Sequence, residues 1–200
     1  IDAEKGYYRH SYVRDHTAER SATAPEGTVS MCALLDENPE TARFVGKPNR
    51  FLSHAWLFLV LNLLAGLEDY VAGLPADEPE PFFWFDCFSL DQHAQSTQGS
   101  AWWRDTFLRA IEEIGHTVMM LSPWSNPVPL TRSWCLWELY CSQQTQARFS
   151  VCLGEAERDA LHEAIVQRSG VVLEAFATID VRSAEAGDPA DRERILRAVE

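Results

Sequence analysis

Residues 111–139 read IEEIGHTVMMLSPWSNPVPLTRSWCLWEL, and they run from a helix through a strand into a second helix. The strand is the largely apolar run His116–Leu121, which a proline-rich loop follows. The second helix is predicted over Trp134–Gln146, with Ser133 as its N-cap. A short apolar run between two helices is typical of a strand that is buried on both faces of a parallel sheet.

The same alternation extends in both directions from this stretch. The upstream helix is predicted to be capped by Ser100, and its apolar side chains fall on one face. Five strands are predicted, at Arg50–His54, Phe82–Cys87, His116–Leu121, Phe149–Leu153 and Phe176–Val181. Further helices are predicted at Ala55–Ala72, Ala156–Arg168 and Pro189–Val199. Strands that alternate with helices imply an α/β domain whose parallel sheet is covered on both faces.

The first quarter of the chain has a different character. Residues 1–48 are polar and irregular, with one short helix predicted at Val29–Leu35. We therefore expect an N-terminal extension over residues 1–48 and a single domain over residues 49–200. Neither end has the features of a natural terminus, so we also expect the sequence to be a fragment of a longer polypeptide.

The charge balance narrows the classes of partner. Lys and Arg together number 17 and Asp and Glu 30, which gives a formal net charge of −13. Nucleic acid and anionic membranes both require clustered cations, so neither is expected as a partner. A small anionic ligand remains compatible, because it needs only one or two arginines and some backbone N–H groups. The apolar run Ala55–Leu67 is too short to span a bilayer.

The number and spacing of the cysteines indicate the cellular compartment of the protein. The five cysteines are an odd number, and no CxxC motif or paired zinc-ligand spacing occurs among them. We interpret them as reduced core residues of a cytoplasmic protein, and we predict no metal site.

The candidate site follows from the sheet, because ligands of open parallel sheets bind beyond the carboxyl ends of the strands. Trp134 and Glu138 are four residues apart and share one helix face. Glu138 lies near the positive end of that helix, which favours its ionised form. A fixed carboxylate beside a flat aromatic side chain could stabilise a cationic transition state on a bound ring. The alternative is an early-helix glutamate favoured by the dipole, with the tryptophan in the core.

Several segments resemble one family. Residues 133–139, SWCLWEL, are similar to the tryptophan-to-glutamate segment of TIR (Toll/interleukin-1 receptor) domains, especially the plant type. Residues 51–53, FLS, resemble the first-strand motif, and Phe85-Asp86 resembles the second strand and its acid. Residues 110–113, AIEE, resemble the helix end that precedes the third strand, so the resemblance covers about residues 49–181.

The resemblance implies a flavodoxin-like three-layer sandwich with a five-stranded sheet, self-association, and cleavage of NAD⁺ at the nicotinamide–ribose bond. Glu138 matches the catalytic glutamate, and Trp134 matches the aromatic position before it. Ser53, His54, Asp86 and Arg132 are candidate substrate contacts, with Arg132 the candidate for the pyrophosphate. NAD⁺ is then a substrate and no cofactor is required. One carboxylate suffices, because the cationic nicotinamide departs neutral without protonation, unlike the leaving oxygen of ordinary glycosides.

Other functions are also compatible with the sequence. The loop after the second strand, residues 89–99, departs from the TIR pattern because it lacks the usual basic and Pro-Gly elements. A non-catalytic self-association module and a nucleotide sensor are therefore alternatives, as is a cyclic ADP-ribose product. Cys135, near a helix N-terminus, is a further candidate nucleophile.

Overall fold

The computed structural model describes residue 17 and residues 29–56, 58, 60–93, 99–168, 170–177 and 179–199. Most of the predicted extension, and residues 94–98 of the loop after the second strand, therefore lie outside the described residues. The described part of the extension contains helix α1, Met31–Glu37, and a 3₁₀ turn at Ala42–Phe44. Ser30 caps α1, because its Oγ accepts a hydrogen bond of 3.2 Å from Ala33 N.

The described residues form one sheet of four parallel strands in the order β2-β1-β3-β4. This confirms the predicted α/β class with a parallel sheet. The register pairs Phe51 with Trp84 on one side of β1 and Leu52 with Val118 on the other. The strands are β1 (Arg50–Ser53), β2 (Phe83–Trp84), β3 (His116–Met120) and β4 (Arg148–Cys152).

Helices alternate with the strands, as predicted. The second to fifth helices are α2 (Val60–Ala72), α3 (Asp86–Ser89), α4 (Ser100–Ile114) and α5 (Ser133–Gln144). The remaining three are α6 (Glu155–Gln167), α7 (Val171–Ala177) and α8 (Pro189–Val199). Two further 3₁₀ turns lie at Val128–Thr131 and Val181–Ser183.

The predicted fifth strand is wrong. The segment Phe176–Val181 contains the end of α7 and the start of a 3₁₀ turn, so the described residues form a four-stranded sheet. Leu, Glu and Ala in α7 are better helix formers than strand formers. Asp180 then accepts a hydrogen bond from Arg182 N, so the backbone is satisfied locally instead of in a ladder.

Side chains of β1 alternate between two apolar cores, one on each face of the sheet. Phe51 packs with the helices α4, α5 and α8, where Ile111, Trp137 and Ile195 are buried. Leu52 packs on the other face against Leu63 of α2. Both faces of the sheet are therefore covered by helices, as the apolar strands predict.

Two predicted caps are wrong. Arg132 is the N-cap of α5, and Ser133 is its first helical residue. The Ser133 Oγ is buried without a hydrogen-bond partner among the described residues. Gly99, not Ser100, is the N-cap of α4.

All five cysteines are free, and four of them are buried. Among the described residues, no helix is both long enough and apolar enough to cross a bilayer.

Candidate active site

A cavity of about 310 Å³ opens at the carboxyl ends of β1 and β2, at the N-terminal end of α5. In the strand order β2-β1-β3-β4, the connections from β1 and β3 leave in opposite directions, which creates a crevice at this point. Five predicted site residues line the cavity: His54, Asp86, Arg132, Trp134 and Glu138. The sixth, Ser53, is hydrogen-bonded to Glu138. The structure therefore brings all six predicted site residues together.

Glu138 is the central titratable group of the cavity. Only 8% of the residue is exposed, and Ser53 Oγ donates a hydrogen bond of 2.5 Å to its Oε2. Among the described residues, Oε1 has no hydrogen-bond partner. Burial raises the pKa of Glu138 well above its usual range, the Ser53 hydrogen bond opposes this, and the Asp86 carboxylate adds to it.

Burial therefore opposes the ionised form expected for Glu138. Glu138 lies in the second turn of α5, beyond the first turn where the helix dipole acts most strongly. Desolvation favours the protonated carboxyl, and a cation in the cavity would favour the ionised one.

A side-chain hydrogen bond joins the segment that follows β1 to the segment that follows β2. Trp56 Nε1 donates to Asp86 Oδ2 at 2.8 Å, and Cys87 N donates to Asp86 Oδ1 at 2.7 Å. His54 Nε2 lies 3.8 Å from Asp86 Oδ1, and burial lowers the pKa of His54 despite that neighbouring carboxylate. A neutral His54 therefore leaves the charge of Asp86 largely uncompensated.

An aromatic wall lines one side of the cavity. Trp134 meets Phe107 in an edge-to-face contact with ring centroids 5.5 Å apart, and Trp103 lies 6.0 Å from Phe107. Trp103 and Phe107 were predicted only as the apolar face of the helix, and they are functional candidates that sequence reasoning missed. Trp56 is 50% exposed and also lines the cavity.

An acidic rim comes from the start of α8. Asp188 and Asp191 line the cavity, although the sequence predicted only a helix at Pro189–Val199 there. A backbone bridge explains their position, because Ser133 N donates to Glu185 O and Glu185 N donates to Thr131 O, both at 2.9 Å. These bonds hold the chain before α8 beside the first residue of α5.

The geometry disfavours Cys135 as a nucleophile. Its Sγ donates to His54 O at 3.3 Å, and burial together with the Glu138 carboxylate raises the pKa of the thiol well above its usual range. A buried thiol beside a carboxylate does not form the reactive thiolate.

Among the described residues, one group of side chains could hold a metal ion. Donor atoms of His54, Asp86 and Cys87 lie within 4.8 Å of one another. Burial raises the pKa of the Cys87 thiol, and both Asp86 oxygens already accept hydrogen bonds. Ligation would have to deprotonate the thiol and compete with those bonds. The prediction of no metal site remains a prediction.

Comparison with known proteins adds no relative: no family model, curated protein or solved structure matches the chain.

Proposed function

We propose that the chain is a TIR-like NAD⁺ glycohydrolase that cleaves the nicotinamide–ribose bond. The observation that carries the proposal is the position of Glu138. Its carboxyl is held by Ser53, and Glu138 lines, together with Trp134, a cavity at the carboxyl ends of parallel strands. One carboxyl beside a flat apolar surface is what departure of a cationic ring requires.

The reaction balances with NAD⁺ and water alone. The bond between ribose C1′ and the ring nitrogen breaks, and its electron pair stays on that nitrogen, so nicotinamide leaves neutral. The positive charge passes to the C1′–O4′ unit as an oxocarbenium-like state. Water then adds to C1′ and loses a proton, giving ADP-ribose, and attack by the adenine of the same molecule would give a cyclic product instead.

Glu138 acts by position and charge in this proposal. The ring cation entering the cavity offsets the desolvation of the carboxylate, so Glu138 releases its proton as the substrate binds. Oε1 then accepts from the ribose hydroxyls while Ser53 holds Oε2. The ionised group faces the charge that develops on the ribose.

The order of the strands in the sheet supports the proposal of a TIR-like protein. The order β2-β1-β3-β4 matches the first four strands of a flavodoxin-like sheet, with the cavity at the switch point. Free, buried cysteines support the further proposal of a cytoplasmic location.

Comparison of NAD⁺ with NADH tests the proposal. Dihydronicotinamide carries no positive charge and would have to leave as an anion, so we expect nicotinamide release from NAD⁺ and no cleavage of NADH. The assay is chromatography after incubation with concentrated protein. Equal cleavage of both, or cleavage of NAD⁺ only at its pyrophosphate, would contradict the proposal.

A further inference from the structure

The lining of the cavity carries an excess of negative charge. Three aspartates line it, Asp86, Asp188 and Asp191, together with the buried carboxyl of Glu138, against the single guanidinium of Arg132. Asp191 is partly balanced by Arg194, whose Nη1 lies 3.9 Å from its Oδ1, at a mostly exposed arginine. Such a pair contributes little. The lining of the cavity therefore favours a cation over a phosphate.

The size of the cavity points in the same direction. A volume of about 310 Å³ is at the small end of ligand cavities, which run from about 300 to 1,000 Å³. It suits one ring and one sugar better than a whole dinucleotide. Trp134 supplies an aromatic ring to the lining, and aromatic rings attract flat cations.

We infer that the cavity selects the positively charged N-ribosyl-nicotinamide unit itself, and that the free nucleoside, nicotinamide riboside, is bound and cleaved without any phosphate. This rests on the proposed function, since it names the part of the substrate on which the same site acts. The reaction again balances: the C1′–N bond breaks, nicotinamide leaves with the electron pair, and water adds to C1′ with loss of one proton. Ribose is the second product.

Arg132 is compatible with this arrangement. It lies at the N-cap of α5, next to the acidic start of α8. Its single positive charge offsets part of the negative charge of the lining. A phosphate on the ribose would meet three aspartates against this one arginine, so it should add no affinity.

Three probes of graded charge test the inference. Nicotinamide riboside is a cation, its dihydro form is nearly the same size and neutral, and nicotinamide mononucleotide adds one phosphate. We expect the cation to bind the 200-residue chain at least about tenfold more tightly than the dihydro form. The mononucleotide should bind no better than the nucleoside. Calorimetric titration gives the affinities, and chromatography of the same samples gives nicotinamide release.

A charge variant with a matched control sharpens the test. Asp188 Oδ1 accepts from Ala190 N at 2.8 Å, and the side-chain oxygen of asparagine can accept the same bond. Asp188→Asn therefore removes a charge while keeping the start of α8. It should weaken binding of the cation about fivefold and leave the dihydro form unchanged. Asp159→Asn, an exposed change on α6 outside the cavity, should affect neither.

The outcomes separate this inference from the proposed function. Charge-selective binding without nicotinamide release would support the inference while overturning the glycohydrolase proposal. Nicotinamide release from NAD⁺ with affinity that rises with each phosphate would keep the glycohydrolase and overturn the inference. Equal binding of the cationic and dihydro nucleosides, or an equal effect of Asp188→Asn on both, would also overturn it.

Discussion

Ser53 Oγ donates a hydrogen bond of 2.5 Å to Glu138 Oε2 and so links the carboxyl end of β1 to α5. The residues are 85 positions apart in the chain, and both are buried. The bond fixes one carboxyl oxygen and, among the described residues, leaves Oε1 without a partner. It also opposes the rise in the pKa of Glu138 that burial causes.

Ser53→Ala should lower the rate of nicotinamide release about tenfold, because one oriented hydrogen bond to a charged group is lost. It should also move the pH profile to higher pH, since Ser53 favours the ionised form of Glu138. Initial rates of nicotinamide release between pH 5 and 9 provide the measurement.

Ser142→Ala is the matched control for that change. Ser142 is equally buried and also bonds to Glu138, but its Oγ donates to the backbone oxygen, at 2.7 Å, and not to the carboxyl. If Ser142→Ala shifted the pH profile as much as Ser53→Ala, the hydroxyl of Ser53 would have no special role.

Glu138→Gln should stabilise the protein at neutral and higher pH in the absence of ligand. The pKa of Glu138 is raised in the folded state, so the folded protein holds a proton that the unfolded carboxyl, with its ordinary pKa of 4.5, has lost. Stability is therefore fully present below pH 4.5 and falls as the pH rises above it. We expect the melting temperature of the variant to exceed that of wild type by roughly 3 °C at pH 8. A difference that persists unchanged at pH 4.5 would contradict this account.

His116 should make the fold sensitive to acid. Burial, with Arg50 and Arg148 nearby, lowers the pKa of His116 from 6.5 to about 4. The unfolded histidine takes up a proton between these values while the folded one does not, so stability is lost as the pH falls through that window. His116→Gln, which can keep the bond to Ser150 Oγ, should reduce the loss in melting temperature between pH 7 and 4.5.

The exposed His162 serves as the comparison for His116. His162→Gln should leave the acid sensitivity unchanged. Identical melting profiles for the two variants would show that His116 is not responsible.

Trp134→Ala should raise the KM for NAD⁺ about tenfold through loss of the aromatic wall, whereas Trp134→Phe should retain most of the affinity. Trp102→Ala is the control, because Trp102 is 42% exposed and does not line the cavity. Equal effects of the alanine changes at positions 102 and 134 would remove Trp134 from the site. The measurement is the dependence of nicotinamide release on NAD⁺ concentration.

Gly115 ends α4 in a left-handed conformation with a φ of 71°. Space around it is open, so the cost of a side chain there is conformational. Gly115→Ala should lower the free energy of unfolding by about 1 kcal/mol, and Gly115→Asn by less, because asparagine tolerates this conformation better. Denaturant titration measures both, and an alanine variant as stable as wild type would contradict the prediction.

Much of the site could be predicted from the sequence, because the carboxyl ends of parallel strands meet at one edge of a sheet. This rule, together with the family resemblance, predicted that Ser53, His54 and Asp86 lie near the start of α5. It could not place Asp188 and Asp191. These residues reach the cavity because of a backbone bridge at Glu185, which no local sequence pattern predicts.

The error in the fifth strand has a local cause. The predicted strand Phe176–Val181 relied on its apolar residues and neglected the helix formers just before it. The ionised form expected for Glu138 relied on the helix dipole, which is also a local effect. Burial by residues distant in sequence opposes that effect.

The most direct test of the central claim is chromatography of NAD⁺ after incubation with wild type, Glu138→Gln and Glu112→Gln. Glu112 is an exposed glutamate on α4 and provides a matched change outside the cavity. We predict nicotinamide and ADP-ribose, or a cyclic form of it, from wild type and Glu112→Gln, and a loss of at least about 100-fold in Glu138→Gln. Undiminished cleavage by Glu138→Gln, or no cleavage by concentrated and artificially oligomerised wild type, would contradict the claim.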